Sequence, residues 1–149
     1  MKPVIWIVDT SVFLNVLKIP GCSQNQDQIF SEFEERLLRE DTFLLPYAAI
    51  VETGNFIAQL EGNYKYEFAG KFIENVRQAI DGSAPWKPLK FPTIDVLSSW
   101  LESFPDFASR GISFGDFSII KEWEEQRGFF KAYSVRIWSL DQGLQGYES

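Results

Sequence analysis

Five consecutive apolar residues, Val4-Ile5-Trp6-Ile7-Val8, stop abruptly at Asp9-Thr10-Ser11. A short run of this kind, with no polar alternation, reads as a buried strand. An acid just past the end of a buried parallel strand stands where open α/β sheets place their ligands. Asp9 is therefore a candidate anchor for a site whose other members arrive from far along the chain.

Downstream, helical periods alternate with brief apolar strands. Thr10 or Ser11 is expected to cap a helix carrying Val12, Phe13, Val16 and Leu17, closed by Pro20-Gly21. Residues 22–27 read as a loop. Residues 28–40 read as an amphipathic helix, apolar along Ile29, Phe30, Phe33, Leu37 and Leu38, with Glu32, Glu35, Arg36 and Arg39 facing water. A strand at 43–45 ends at Pro46, which suits entry into a helix over 47–61. A further helix is expected at about 65–80, then a loop at 81–88 and a short strand at 89–91. Thr93 caps a helix with Ile94, Leu97, Leu101 and Phe104 on one face, and 105–111 is a second loop. Ser113 opens a helix through about Gln126, ended by Gly128. Residues 133–138 form the last strand, followed by a polar, frayed tail. Strands alternating with helices in this way argue for a parallel sheet covered on both faces.

The chain has 149 residues, 45% of them hydrophobic, including 14 Phe and 5 Trp, which suits a single domain over 1–149 with a real core. One cysteine, Cys22, and no histidine exclude a disulfide framework and zinc sites built on His or several Cys. Cys22 as a nucleophile would lack its usual His partner, and a loop thiol is the simpler reading. The opening apolar run is too short for a signal peptide or a membrane span, so a cytoplasmic protein without membrane contact is expected. The net charge of −7, with scattered Lys and Arg, argues against gripping nucleic acid mainly through phosphate neutralisation.

Four acids stand out by position. Asp9 and Asp141 follow the first and last strands, and Glu52 and Asp116 lie near the starts of two helices. In a parallel sheet all these places share one edge, so the four are expected to converge. Each also has a structural reading. Asp9 could cap a helix, Asp116 with Ser113 resembles a capping box, and Asp141 in Leu-Asp-Gln-Gly suits a turn. Glu52, beside Ala48-Ala49-Ile50-Val51, is hardest to explain as a solvated face. Converging carboxylates raise one another's pKa unless a cation intervenes, and an all-oxygen site suits Mg²⁺ or Mn²⁺. Without histidine, water activated by such an ion is the expected nucleophile, and phosphodiester hydrolysis is the reaction that fits.

The sequence around these acids resembles the PIN-domain nucleases, including the VapC-like toxins of toxin–antitoxin pairs. Val-Asp-Thr-Ser-Val-Phe at 8–13 is similar to the family's first motif, and Pro46 to Asn55 to its second. Gly-Ile-Ser-Phe-Gly-Asp-Phe at 111–117 and Trp-Ser-Leu-Asp-Gln-Gly-Leu at 138–144 are similar to the third and fourth. The resemblance implies a three-layer α/β/α sandwich with a central parallel sheet and a metal-dependent endoribonuclease. It implies Asp9, Glu52 and Asp116 as direct ligands of Mg²⁺ or Mn²⁺, with Asp141 as the more variable fourth. Thr10, Ser11 and Ser113 are candidates for orienting substrate or water. RNA, an antitoxin protein and a second copy of the chain are the partners it implies.

Two other functions are compatible with the residues. One is a PIN-like interaction module with weak or no catalysis, which the acidic charge and aromatic content suit. The other is a phosphotransferase using Asp9 as nucleophile, which commonly carries a second Asp two residues on, where this chain has Ser11. Trp86, between two prolines, is a candidate partner contact, whereas Trp100 and Phe104 read as core. Glu122, Glu124 and Glu125 read as a solvated helix face.

Overall fold

A computed structural model describes residues 3–144, 146 and 147. Four strands, β1 (Val4–Val8), β2 (Thr42–Leu45), β3 (Trp86–Pro88) and β4 (Ser134–Trp138), form one parallel sheet in the order β3-β2-β1-β4. Six helices connect them: α1 (Thr10–Val16), α2 (Gln26–Leu38), α3 (Tyr47–Ala58), α4 (Tyr64–Asp81), α5 (Ile94–Ser109) and α6 (Phe114–Phe129). A short 3₁₀ turn, Gln142–Leu144, follows β4.

The pattern along β1 builds the layers. Val4, Trp6 and Val8 point to one face and join Phe13, Ile29, Phe43, Ile57, Phe68 and Trp86 in one core. Ile5 and Ile7 point to the other and meet Ile119, Ile120, Val135 and Ile137. The first core is covered by α1 to α4, the second chiefly by α6. This division follows from the strand order. The chain runs outward from β1 to β2 to β3, then crosses back so that β4 pairs with β1 on its other side. Parallel crossovers are right-handed, so reversing direction along the sheet moves the connecting helices to the opposite face. The reversal creates a topological switch point between β1 and β4, beyond whose C-terminal ends such sheets bind ligands.

Several boundaries differ from the sequence reading. The loop at 81–88 contains β3, and the strand lies at 86–88 rather than 89–91. Trp86 is not a partner contact: it is 3% exposed, stacked on Phe33 at 4.7 Å and edge-on to Phe13 and Phe43. Its aromatic burial outweighs the turn-forming composition around it, and Pro88 is tolerated because β3 is an edge strand. Pro105 does not open a loop but lies inside α5, which runs on to Ser109. Gly128 does not end α6, which continues to Phe129. The first helix ends at Val16 with Leu17 as its C-cap, before Pro20-Gly21, and α2 begins within the expected loop.

The faces differ too. On α2 only Ile29 is fully buried, and Leu38 is exposed. Arg36 does not face water but lies over the Trp6 and Trp138 rings at 3.7 and 4.5 Å. Its flat guanidinium can cover aromatic surface that an aliphatic side chain would otherwise cover. On α5, Trp100 is buried as expected, but Ile94 is 86% exposed and Leu101 is exposed. Glu122 leaves the solvated acidic run and is buried. Described parts of the expected frayed tail are packed: Leu144 is buried, and Ile137 N donates to Tyr147 O at 3.1 Å. Residues 145, 148 and 149 of that tail lie outside the described residues.

Candidate active site

Asp9 leaves β1 with its backbone N donating to Trp138 O at 3.0 Å, which ties the ends of β1 and β4 together. Its side chain does two things at once. It caps α1, accepting from Ser11 N at 3.3 Å, so Asp9 rather than Thr10 or Ser11 is the N-cap. It is also 3% exposed at the switch point. Ser11 Oγ and Ser139 Oγ both donate to the same oxygen, Oδ2, at 2.7 and 2.8 Å. Oδ1 has no hydrogen bond among the described residues. The carboxylate is thus oriented through one oxygen and free at the other.

Ser139 was not apparent as a site residue from sequence. Its hydroxyl bridges Asp9 to the backbone N of Asp141, accepting from that N at 2.9 Å. Ser11 Oγ accepts from Leu140 N at 2.9 Å. The loop after β4 is therefore laced onto the end of β1, which delivers Asp141. Asp141 in turn accepts from Gly143 N at 2.9 Å, the turn role its sequence suggested.

Glu52 comes from the second turn of α3, where Pro46 sets the helix entry. Its Oε1 is buried without a hydrogen-bond partner. Burial and the neighbouring charges of Asp9 and Asp141 push its carboxyl up, against a smaller lowering by Thr10. Thr10 Oγ1 is close enough to exert that influence but closes no hydrogen bond, and it too is buried and unpaired. Opposite Glu52 lies Gly115, at the start of α6. A Cβ at position 115 would overlap Glu52 Oε1. The glycine in Ser-Phe-Gly-Asp thus leaves room for the Glu52 carboxyl in its present position, a role that only the tertiary contact reveals.

Asp116 lies in the first turn of α6, capped by Ser113, whose Oγ accepts from Asp116 N at 3.2 Å. The capping reading holds for the backbone, yet the Asp116 carboxyl is not spent on it. Burial, then the charges of Asp9 and Asp141, a proton-sharing contact with Asp141, and the charge of Glu52 push it up to about 7. The other three expected acids therefore all act on this one carboxyl. Of the three hydroxyls expected to orient water or substrate, Ser11 and Ser113 are committed to local structure and Thr10 is not.

Among the described residues, no three or more His, Cys, Asp or Glu side chains are placed closely enough to hold one metal ion together. The donor set nevertheless suits a hard cation: it is all oxygen, one oxygen is buried and unpaired, and the Asp116 carboxyl is pushed up to about 7 by burial and then by its acidic neighbours. What fold and site define together is an α/β protein with a carboxylate cluster at the C-terminal edge of a parallel sheet. No protein-family model matches the chain, and no curated protein is significantly similar to it.

Proposed function

We propose that this is a PIN-like, Mg²⁺- or Mn²⁺-dependent endoribonuclease, with Asp9, Glu52, Asp116 and Asp141 as its metal-holding residues. One observation carries the reading. Burial first, then the charges of Asp9, Asp141 and Glu52, push the Asp116 carboxyl up to about 7, and Asp9 has only hydroxyls and a backbone N–H hydrogen-bonded to it. Such a cluster is electrostatically unfinished without a cation. When bound, the ion supplies Lewis acidity toward a phosphoryl oxygen and a nucleophile at neutral pH.

The chain's own residues have separable roles. Ser11 and Ser139 hold Asp9 by Oδ2 and leave Oδ1 for a ligand, the outer-shell role that tunes metal sites. Gly115 keeps the space that Glu52 occupies. Thr10 Oγ1 is the hydroxyl available to orient a water or a phosphate oxygen. A toxin of a toxin–antitoxin pair is the biological role we favour, with RNA as substrate and a cytoplasmic setting. A homodimer is supported by the exposed apolar residues Ile94 and Leu101 on α5. No described helix is long and apolar enough to cross a membrane.

Asp9→Asn is the decisive variant, because Asn caps a helix as well as Asp does and the change removes charge alone. The folded variant is expected to lose single-stranded RNA cleavage in Mn²⁺ by more than the roughly 10–100-fold typical of outer-shell changes. Cleavage at the parental rate would overturn the assignment. Failure of the parent to bind Mn²⁺, with its fold intact, would favour the interaction module instead.

A further inference from the structure

Beside the acids, and sharing Glu52, Ser113 and Gly115 with them, lies a cavity of about 520 Å³. Its walls are mostly apolar and aromatic, from Tyr47 and Val51 on α3, Phe91 in the following loop, Trp100 on α5 and Phe114 on α6. The size falls in the range that takes small organic groups. Besides Glu52, Ser113, Ser118 and Lys90, one further polar side chain interrupts the apolar lining, and it is a largely buried one. Glu122 is 8% exposed, faces this cavity and has no hydrogen-bond partner among the described residues. The residue is largely buried, and its carboxyl, free of hydrogen bonds, is open to a ligand in the cavity that has a matching polar edge.

We propose that this cavity receives one unpaired nucleobase of an RNA strand, its polar edge on the Glu122 carboxyl and its ring among the aromatic walls. The identity of the strand rests on the ribonuclease reading; the shape and chemistry of the cavity do not. A base fits because it is uncharged, aromatic and polar at its rim. An aliphatic side chain from a protein partner would fill the volume but leave Glu122 unpaired. A phosphate would meet carboxylates and no cation on this wall except Lys90. Burial pushes the Glu122 carboxyl up to about 7, so near neutrality it offers a donor beside an acceptor. Every nucleobase presents a donor beside an acceptor on its Watson–Crick edge, so this wall suits a base without selecting among the four.

The test measures binding of labelled octamers of adenylate, cytidylate, guanylate and uridylate, with Ca²⁺ replacing Mg²⁺, and separately their cleavage in Mn²⁺. Three variants probe the cavity: Val51→Trp fills it from the half-exposed face of α3, Glu122→Leu removes the polar group, and Glu122→Gln keeps a donor–acceptor pair. Matching thermal unfolding curves establish that each is folded. Val51→Trp and Glu122→Leu are expected to weaken binding of the octamers on the order of tenfold, the worth of one stacked base, with Glu122→Gln near the parent. Parental binding by Val51→Trp and Glu122→Leu overturns the proposal, whether or not the protein cuts RNA. A parent that binds none of the octamers overturns it too and leaves the cavity to a protein side chain or a free aromatic molecule. Cavity-dependent binding without cleavage would uphold it while removing the ribonuclease reading.

Discussion

Replacing Asp116 by Asn should make the metal-free protein more stable, although it removes a proposed ligand. The Asp116 carboxyl rises from 3.8 to about 7 in the folded state, because it is partly buried among Asp9, Asp141 and Glu52. A raised acid binds its proton more tightly folded than unfolded, so stability falls as pH rises between those two values and stays low above the upper one. At about 1.4 kcal/mol per pH unit the full shift is worth about 4 kcal/mol. Asp116 is only half-buried, and solvent screening reduces this to about 2 kcal/mol. Asn forgoes a favourable charge in the first turn of α6, worth roughly 0.3–1 kcal/mol. The net gain is then about 1–2 kcal/mol at pH 8, or about 3–6 °C in Tm for a chain of this size. The assay is thermal unfolding in chelator at pH 5 and pH 8. The variant should exceed the parent at pH 8 and lose most of that advantage at pH 5. Saturating Mn²⁺ should then favour the parent, because an ion that binds the folded state stabilises it. A variant no more stable than the parent at pH 8, or equally advantaged at both pH values, would refute the idea that the four acids repel one another here.

Other perturbations separate the site's scaffolding from its charges. Gly115→Ala should displace Glu52, whose Oε1 occupies the space a Cβ needs; weaker Mn²⁺ binding by titration checks this, and unchanged affinity counts against the Glu52 assignment. Ser139→Ala breaks the bridge from Asp9 Oδ2 to Asp141 N and should cost about 1–3 kcal/mol by denaturant unfolding, with a roughly 10–100-fold loss of metal affinity. Trp86→Ala should cost about 3–5 kcal/mol, since the ring packs against Phe13, Phe33 and Phe43; a near-neutral result would return Trp86 to the surface.

Local sequence was decisive where the information was local. The unbroken run Val4 to Val8 set β1, and Thr93 and Ser113 announced helix caps that form as expected, with Val96 N and Asp116 N as donors. The same run, with strands alternating with helices, determined a parallel sheet and so the shared edge on which Asp9, Glu52, Asp116 and Asp141 interact. Composition excluded histidine chemistry and a disulfide framework outright. Tertiary structure decided what depends on partners distant in sequence. Trp86 became a strand residue because Phe33 and Phe43 accept its ring, against a turn-rich context. Arg36 left the solvent because Trp6 and Trp138, from two adjacent strands, offer it a flat surface. Glu122 looked like one of three surface acids, since a helix period cannot say which turn a neighbouring helix will cover. Ser139 and Gly115 carry no charge and match no acid–base pattern. Their importance lies in a bridge across 130 positions and in a space that Glu52 fills. Sequence thus determined which groups are present and which edge they share; packing alone decided their spacing, their protonation and the cavity beside them.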